Sequence, residues 1–487
     1  LSEEIEILLS DPQQDILEST KQINLFLAGV GSGKTHLGGV IVYNFLQFPQ
    51  LKGFIAANTY DQLNTSTFTR IAEVLALFGI TEYSEKTKQG FYVVNKKPPA
   101  SFADQGFNFI SYQNIMTFWT GQIVFLGSLD NAKAHEGKEF AWALLDETKD
   151  SDEADVKEII LARLRQKGLF VKDGELNDRE GDPINPLYIL TSPAKVPWIN
   201  EWFKLDDNIA DIESVIYSGE TYFKKEFDNK FCTISSTYHN QTNLPSNYIE
   251  NKRFDYSTER FKTLIYANPF SRTGSEYYSS FDRIKNVGKC VYNPDIPLHI
   301  SFDFNSVPYN SLSIWQIEKR EDNYFVLGID EFALVNPRNS TEEVCEAFLA
   351  RYGNHKSGLY FYADATGRAR TTTSKEYKTQ IQIIEGKLRR MLNNTSNRVP
   401  VSNPANVIRR DFINRIFENK LPIRVVVDER MKYMIADFTY TMQDMVTGDK
   451  DKHYVKDPDT GEKYQKYGHF ADNFEYMICE CFRKYMS

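Results

Sequence analysis

Ala28–Thr35, AGVGSGKT, is the stretch that most constrains this chain. It follows an apolar run, Ile23–Leu27, and leads into an amphipathic segment from His36 to about Leu46. A strand, a glycine-rich turn and a helix in that order predict a phosphate-binding loop. The small residues Gly29, Val30, Gly31, Ser32 and Gly33 let successive backbone N–H groups curl around phosphate oxygens, with the helix N-terminus aimed at the charge. Lys34 is placed to reach the β- and γ-phosphates of ATP, and Thr35 to offer a hydroxyl to Mg. The full pattern asks for Gly at position 28, where this chain has Ala, one methyl larger. A flexible turn with a solvated lysine is the alternative, and the flanking strand and helix disfavour it.

The 487 residues exceed one core and predict two or three domains. A hydrophobic fraction of 41% is that of an ordinary globular chain. The net charge of -9 confines any nucleic-acid contact to local basic patches. Five scattered cysteines show no metal-ligand spacing and predict a reducing compartment without a disulfide framework. The start, LSEEIEILLS, is acidic and lacks the basic opening of a signal peptide. No apolar run is long enough to span a bilayer. Because the first residue is Leu, residues upstream of it are expected.

Residues 1–20 read as a short helical lead-in that places Gln13 and Gln14 just before the first strand. A glutamine there either pairs with an adenine edge or is a solvated turn residue. Beyond the loop, Leu51–Ala57 reads as a buried strand and Thr59–Leu77 as a helix capped at Asn58 or Thr59. Residues 80–115 read as irregular, and Ile115–Leu126 as a hairpin turning at Thr120-Gly121. Such alternation predicts an α/β domain with a mostly parallel sheet. FAWALLDE, Phe140–Glu147, is an apolar strand ending in two carboxylates. Asp146 there suits the Mg shell, and Glu147 suits the water that attacks the γ-phosphate. The next segment, SDEADVKEIILARLRQKG, carries acids early and bases late, as a helix dipole favours. Its Arg163 and Arg165 are either a solvated helix end or an arginine finger. The strand Pro186–Ser192 ends in Thr191-Ser192, whose hydroxyls either sense the γ-phosphate or make a turn.

The character changes near Lys289. Leu298–Asp303, Ser311–Glu318 and Tyr324–Ile329 read as an antiparallel meander opening a mixed sheet. A helix at Ser340–Arg351 and strands at Gly358–Asp364 and Ile423–Asp428 follow, with a partly helical, partly basic stretch at Lys375–Lys420 between the two strands. That stretch includes Lys387, Arg389, Arg390, Arg398, Arg409, Arg410 and Arg415. The chain closes on a helix carrying Asp472. Two-metal phosphodiester cleavage needs carboxylates that converge on ions roughly 3.5–4 Å apart. Asp303, Asp364 and Asp472, at two strand ends and a helix, suit that need, with Asp330, Glu331, Asp428, Glu429 and Glu475 as rivals. His469 and Lys466 precede Asp472 and are candidates to touch the scissile phosphate; a helix-terminal contact is the alternative for His469. Gln443–Tyr467 reads as an exposed hairpin or loop with turns at Thr447-Gly448 and Asp457–Gly461.

Across nearly its whole length the chain resembles the large terminase subunit of tailed bacteriophages. The resemblance rests on Gln14, AGVGSGKT, GKEFAWALLDE, the strand ending in TSP, STYHNQTNLPSNYI at 236–249, Gly274–Phe281, SFDFN, YADATG and GHFADN. It implies a P-loop (ASCE-type) ATPase domain at 1–235, a lid or linker subdomain at 236–287, and a ribonuclease-H-like nuclease domain at 288–487. It implies Gln14 as adenine reader, Lys34, Thr35, Asp146 and Glu147 as the ATPase centre, and Thr191-Ser192 as the coupling motif. Asp303, Asp364 and Asp472 become the ligands of Mg or Mn, beside a hairpin that gates DNA. Double-stranded DNA, the portal of a procapsid, a small terminase subunit and a homo-oligomeric ring are the implied partners, in the cytoplasm of an infected host. Many relatives carry Gly-Gly-Arg where this chain has Gly29-Val30, so the basic group falls to Lys133, Lys138, Arg163 or Arg165, or is absent. A helicase without nuclease activity and a non-enzymatic ATP-binding assembly protein are the competing readings. The first predicts a second motor core, absent from 290–487, and the second leaves Asp146-Glu147 unexplained.

Overall fold

The structure, a computed structural model, describes residues 7–106, 109–194, 196–271, 274–305, 307–368, 379–393, 396–444, 447–451, 454–456 and 462–486. The chain forms two compact units, Leu1–Ser271 and Arg272–Ser487. The segment expected as a separate subdomain, 236–287, is divided between them at that boundary.

A nine-stranded sheet organises the first unit, in the order Phe223–Phe227, Lys230–Ser235, Ile23–Ala28, Leu187–Thr191, Trp142–Asp146, Lys52–Ala57, Ile123–Ser128, Ile115–Phe118 and Tyr92–Val94. The six strands from Lys230–Ser235 to Ile123–Ser128 run parallel, and the outer ones turn antiparallel. Leu187–Thr191 lies between the loop strand and the strand that ends in Asp146, the insertion an ASCE-type order requires. Side chains alternate between two cores, with Leu25, Leu27, Leu145 and Ile189 on one face and Phe26, Ala28, Leu144 and Leu190 on the other. The hairpin turning at Thr120-Gly121 forms as expected. The stretch 80–115, expected to be irregular, contributes the edge strand Tyr92–Val94.

Two helical expectations are corrected. The helix after the loop, Lys34–Phe45, is not amphipathic in use, because Leu37 to Val42 and Phe45 are all buried. It lies between the sheet and the helix Phe68–Leu77, and its paired glycines let both approach. A Cβ on Gly39 would sit 2.5 Å from Val74 Cβ. The expected helix Thr59–Leu77 is capped by Thr59, whose hydroxyl accepts from Gln62 N at 3.2 Å. It is interrupted by a wide π-helical turn at Leu63–Thr67, which buries Thr67 completely.

The second unit holds a six-stranded mixed sheet, in the order Val287–Gly288, Ile423–Asp428, Asn323–Leu334, Asn310–Arg320, Leu298–Asp303 and Leu359–Ala363. The meander pairs antiparallel as expected, while Leu359–Ala363 joins Leu298–Asp303 in parallel. One face carries the helix Thr341–Tyr352 through Val344 and Phe348. The other carries the closing helix, His469–Cys481, whose Phe474 ring lies 4.9 Å from that of Trp315. Asp437 caps this helix, accepting from Phe470 N at 2.7 Å and Ala471 N at 3.1 Å. Among the described residues of the basic stretch, Gln380–Leu388 and Asn406–Phe417 are helices; its residues 375–378, 394 and 395 lie outside the described residues.

Gly39→Ala separates packing from propensity. Alanine favours a helix interior by about 1 kcal/mol, but overpacking against Val74 costs about 1–3 kcal/mol. We expect a net loss in urea unfolding, recovered when Val74→Ala is added; a net gain would contradict the close approach.

Candidate active sites

In the first unit, the loop strand delivers Gly29–Gly33 to the carboxyl edge of the sheet, one strand from Glu147. Lys34 is buried, with Nζ 3.1 Å from the Ala28 carbonyl, 3.2 Å from the Gly29 carbonyl and 3.7 Å from Glu147 Oε1. Burial lowers its pKa, and the Glu147 and Asp146 carboxylates oppose that shift. Gly33 has φ +80° and lies against Gln13; a Cβ would meet Gln13 Nε2 at 2.6 Å, so only glycine fits.

The glutamine the fold places at the loop is Gln13, a correction to the expectation for Gln14. Gln13 is buried, and its Nε2 donates to the Gly33 carbonyl at 3.1 Å and the Ser32 carbonyl at 3.3 Å. Its Oε1 accepts from Ser10 N at 2.9 Å, closing a capping box. Gln14 is exposed and donates to Glu18. Neighbouring glutamines on a helix point about 100° apart, and sequence alone could not choose between them.

Asp146 is almost fully buried. Its Oδ2 accepts from Thr67 Oγ1 at 2.7 Å and lies 3.5 Å from Thr35 Oγ1. Its Oδ1 is buried without a hydrogen-bond partner among the described residues. Burial raises the pKa of this carboxyl to about 6, against the Thr67 hydrogen bond. A buried carboxylate with one open oxygen beside a threonine hydroxyl fits a hard divalent cation such as Mg. Thr67 escaped the sequence reading because a π turn, not a motif, aims it.

Glu147 adopts a left-handed φ of 53°, uncommon for a residue with a side chain. Hydrogen bonds fix it: Glu147 N donates to the Leu190 carbonyl at 2.7 Å, and its Oε1 accepts from Ser192 Oγ at 2.7 Å. Ser192 N also donates to Oε2, at 3.2 Å. Within the expected Thr191-Ser192 pair, Ser192 therefore touches the acid, while the Thr191 hydroxyl lies 3.4 Å from the Ser192 carbonyl.

The segment 236–265 covers the loop. Thr237 Oγ1 donates to the Val30 carbonyl and Asn240 Nδ2 to the Gly31 carbonyl, both at 2.7 Å. Gly29 N and Val30 N donate to the Ser235 and Leu264 carbonyls. These two amides, expected to face phosphate, are thus engaged by protein. Of the candidate basic groups, Lys138 and Arg165 line a separate cavity of about 560 Å³ with Lys52 and Phe125. Lys138 Nζ lies 2.9 Å from His135 Nδ1.

In the second unit, Asp303 and Asp364 end adjacent parallel strands. Asp303 Oδ2 accepts from Asn305 and lies 3.2 Å from His469 Nδ1. Asp364 accepts from Thr366 N at 2.8 Å, Asn403 Nδ2 at 3.1 Å and Tyr476 OH at 3.1 Å. Burial raises the Tyr476 pKa well above its ordinary value, and Asp472, Asp303 and Asp364 all add to the rise. Asp472 Oδ1 accepts from Lys450 Nζ at 2.6 Å. The rivals have other partners: Asp330 meets Arg351 and Tyr352, Glu331 caps the helix Lys432–Tyr440, and Asp428 meets Arg430. Glu475 is fully buried beside Arg409 and Lys450. Lys466 lies over the Tyr467 ring.

Three carboxylates suit a hard divalent metal. Yet among the described residues no three His, Cys, Asp or Glu converge tightly enough to hold one; Asp472 instead meets Lys450 and Asp303 meets His469. The region expected as an exposed hairpin is only partly so. Tyr454–Lys456 pairs with Lys463–Gln465, but Lys450 before it is buried; the turn expected at Asp457–Gly461 lies outside the described residues.

No protein-family model and no curated protein matches this chain. Among solved structures, the large terminase of the thermophilic bacteriophage D6E in complex with ADP aligns over 97% of this chain and 99% of its own, at 15% identity and TM-score 0.37. The ATPase domain of the Thermus phage P74-26 large terminase covers 54% of this chain and 95% of its own, at 15% identity and TM-score 0.35. The large-terminase nuclease domain of bacteriophage SPP1 with bound Mn covers 40% of this chain and 94% of its own, at 14% identity and TM-score 0.26. At such scores, the assignment of both sites rests on their own geometry.

Two outcomes test that geometry. Thr67→Val should weaken Mg-dependent ADP binding about tenfold, as loss of a metal ligand's outer partner does, and leave metal-free ADP binding unchanged in calorimetry. For His469, burial opposes the charge but Asp303 outweighs it, raising the pKa from 6.5 to about 9. A base raised on folding adds stability that is complete below pH 6.5 and lost as pH rises through 9. The stability difference between the parent and His469→Gln in urea should shrink across that window, by on the order of 2–3 kcal/mol; a flat difference would contradict the pair.

Proposed function

We propose that this chain is a phage large terminase subunit, an ATP-driven motor for double-stranded DNA that also cuts it. The observation that carries the reading is the presence of two acid sites on two different sheets, one beside a phosphate loop and one with a carboxylate trio. In the motor, Lys34 neutralises the γ-phosphate, Thr35 and Asp146 would hold Mg, and Glu147, oriented by Ser192, accepts the proton of the attacking water. Bound divalent metal would supply Lewis acidity toward phosphate oxygens. Release of phosphate removes a partner from Lys34 and Glu147, and Ser192 passes the change to the sheet edge. In the second unit, Asp303, Asp364 and Asp472 would hold Mg or Mn, and His469 adds positive charge near the scissile phosphate.

The procapsid portal, a small terminase subunit and a ring of copies are the partners this reading implies, in the cytoplasm of an infected bacterium. Among the described residues no helix is long and apolar enough to cross a membrane. Glu147→Gln should reduce DNA-stimulated ATP turnover by at least about 100-fold, the contribution of a positioned base. Asp303→Ala should abolish cleavage of supercoiled plasmid in Mg or Mn and spare ATP turnover. ATP turnover without cleavage by the parent would favour a translocase lacking nuclease activity.

A further inference from the structure

Four consecutive carbonyls of the glycine-rich loop each accept from a side chain outside it. Thr237 Oγ1 donates to the Val30 carbonyl and Asn240 Nδ2 to the Gly31 carbonyl, both at 2.7 Å. Gln13 Nε2 donates to the Ser32 carbonyl at 3.3 Å and to the Gly33 carbonyl at 3.1 Å. The Gly33 carbonyl also accepts from Leu37 N at 2.9 Å, which ties the loop to the helix behind it.

In a trans peptide the carbonyl and the following N–H point to opposite sides of the chain. Holding the Val30, Ser32 and Gly33 carbonyls therefore aims the N–H groups of Gly31, Gly33 and Lys34 away from the side chains that grip them. Among the described residues, none of these three amides has a protein acceptor. Ser32 N differs, lying 3.3 Å from the Gly29 carbonyl. Three open donors at the start of a helix suit an anion.

The Gln13 amide has no capacity to spare. A glutamine side chain offers two hydrogens and two acceptor lone pairs. Both hydrogens go to the loop, and Oε1 accepts from Ser10 N at 2.9 Å and Ser10 Oγ at 3.0 Å. Reading an adenine edge takes one donor and one acceptor together, and Gln13 has neither left.

We propose that Gln13, Thr237 and Asn240 are positioning residues for phosphate: they grip the loop carbonyls so that the open amides face the phosphates of a nucleotide, and Gln13 does not read the base. The inference rests on the ATPase reading. It predicts that loss of the grip weakens adenine and guanine nucleotides alike, and base-free pyrophosphate with them.

The test is calorimetric titration of the full chain with ADP, GDP and pyrophosphate, with Mg²⁺ present throughout. Gln13→Met keeps the length of the side chain and removes the amide. We expect it to weaken all three ligands by a similar factor, about tenfold, as the loss of two ordinary hydrogen bonds implies, and to leave the ratio of ADP to GDP affinity unchanged. Asn240→Leu, on a separate segment, should show the same pattern, and it decides the matter by the same criteria if Gln13→Met lowers the thermal unfolding midpoint of the free protein. Weaker ADP binding with pyrophosphate unchanged, or a shifted ADP to GDP ratio, would make Gln13 a base reader and overturn the proposal. Parent-like binding of all three ligands by the variant would overturn it too, as would a parent that binds ADP but no pyrophosphate; in each case the ATPase reading stands. If the parent binds neither nucleotide nor pyrophosphate, the ATPase reading fails and the proposal falls with it.

Discussion

The parallel pairing of Ile23–Ala28 with Leu187–Thr191, and of that strand with Trp142–Asp146, fixes everything the first site needs. Parallel neighbours end at one edge, so the loop, Ser192 and the Asp146-Glu147 pair arrive together without long-range adjustment. Gly38 then lets the helix behind the loop sit close to the sheet, and Gly39 lets the helix Phe68–Leu77 close on its other side. Burial of Leu37, Val40, Ile41, Val42 and Phe45 contributes about 1.5–3 kcal/mol for each large side chain. That apolar anchoring allows polar groups at the edge, such as the open oxygen of Asp146, to remain incompletely satisfied.

The second unit uses a different economy of charge. Its three acids are each met by a protein donor: Asn305 and His469 at Asp303, Tyr476 and Asn403 at Asp364, Lys450 at Asp472. Around them, Glu475 is buried between two cations and a phenol. Removing one member of such a group is costly, because the remaining charge is left buried.

Much of both sites was legible in the sequence because strand ends announce themselves. An apolar run that stops at an acid gives Asp146, Asp303 and Asp364, and the loop pattern gives Lys34 and Thr35. What escaped depended on orientation. Gln13 and Gln14 are equivalent as letters and differ only in helix phase. Thr67 is aimed by a π turn that no periodicity reveals. Lys450 lies in a polar stretch, DKDK, that reads as solvated, and only its pairing with Gln443 carries it inward. The segment from His36 to about Leu46 misled for the opposite reason: Gly38 and Gly39 interrupt its apolar pattern, yet their small size means close contact.

The Ser10–Gln13 capping box carries a mechanical consequence. The same amide that closes the first turn of the helix Asp11–Glu18 also grips the carbonyls of Ser32 and Gly33. Tension on the chain just before Ser10 is therefore felt at the nucleotide loop through a single side chain. The first turn of that helix and the glycine-rich loop are locked together, so the backbone at Ser32 or Gly33 cannot shift without breaking a bond to Gln13.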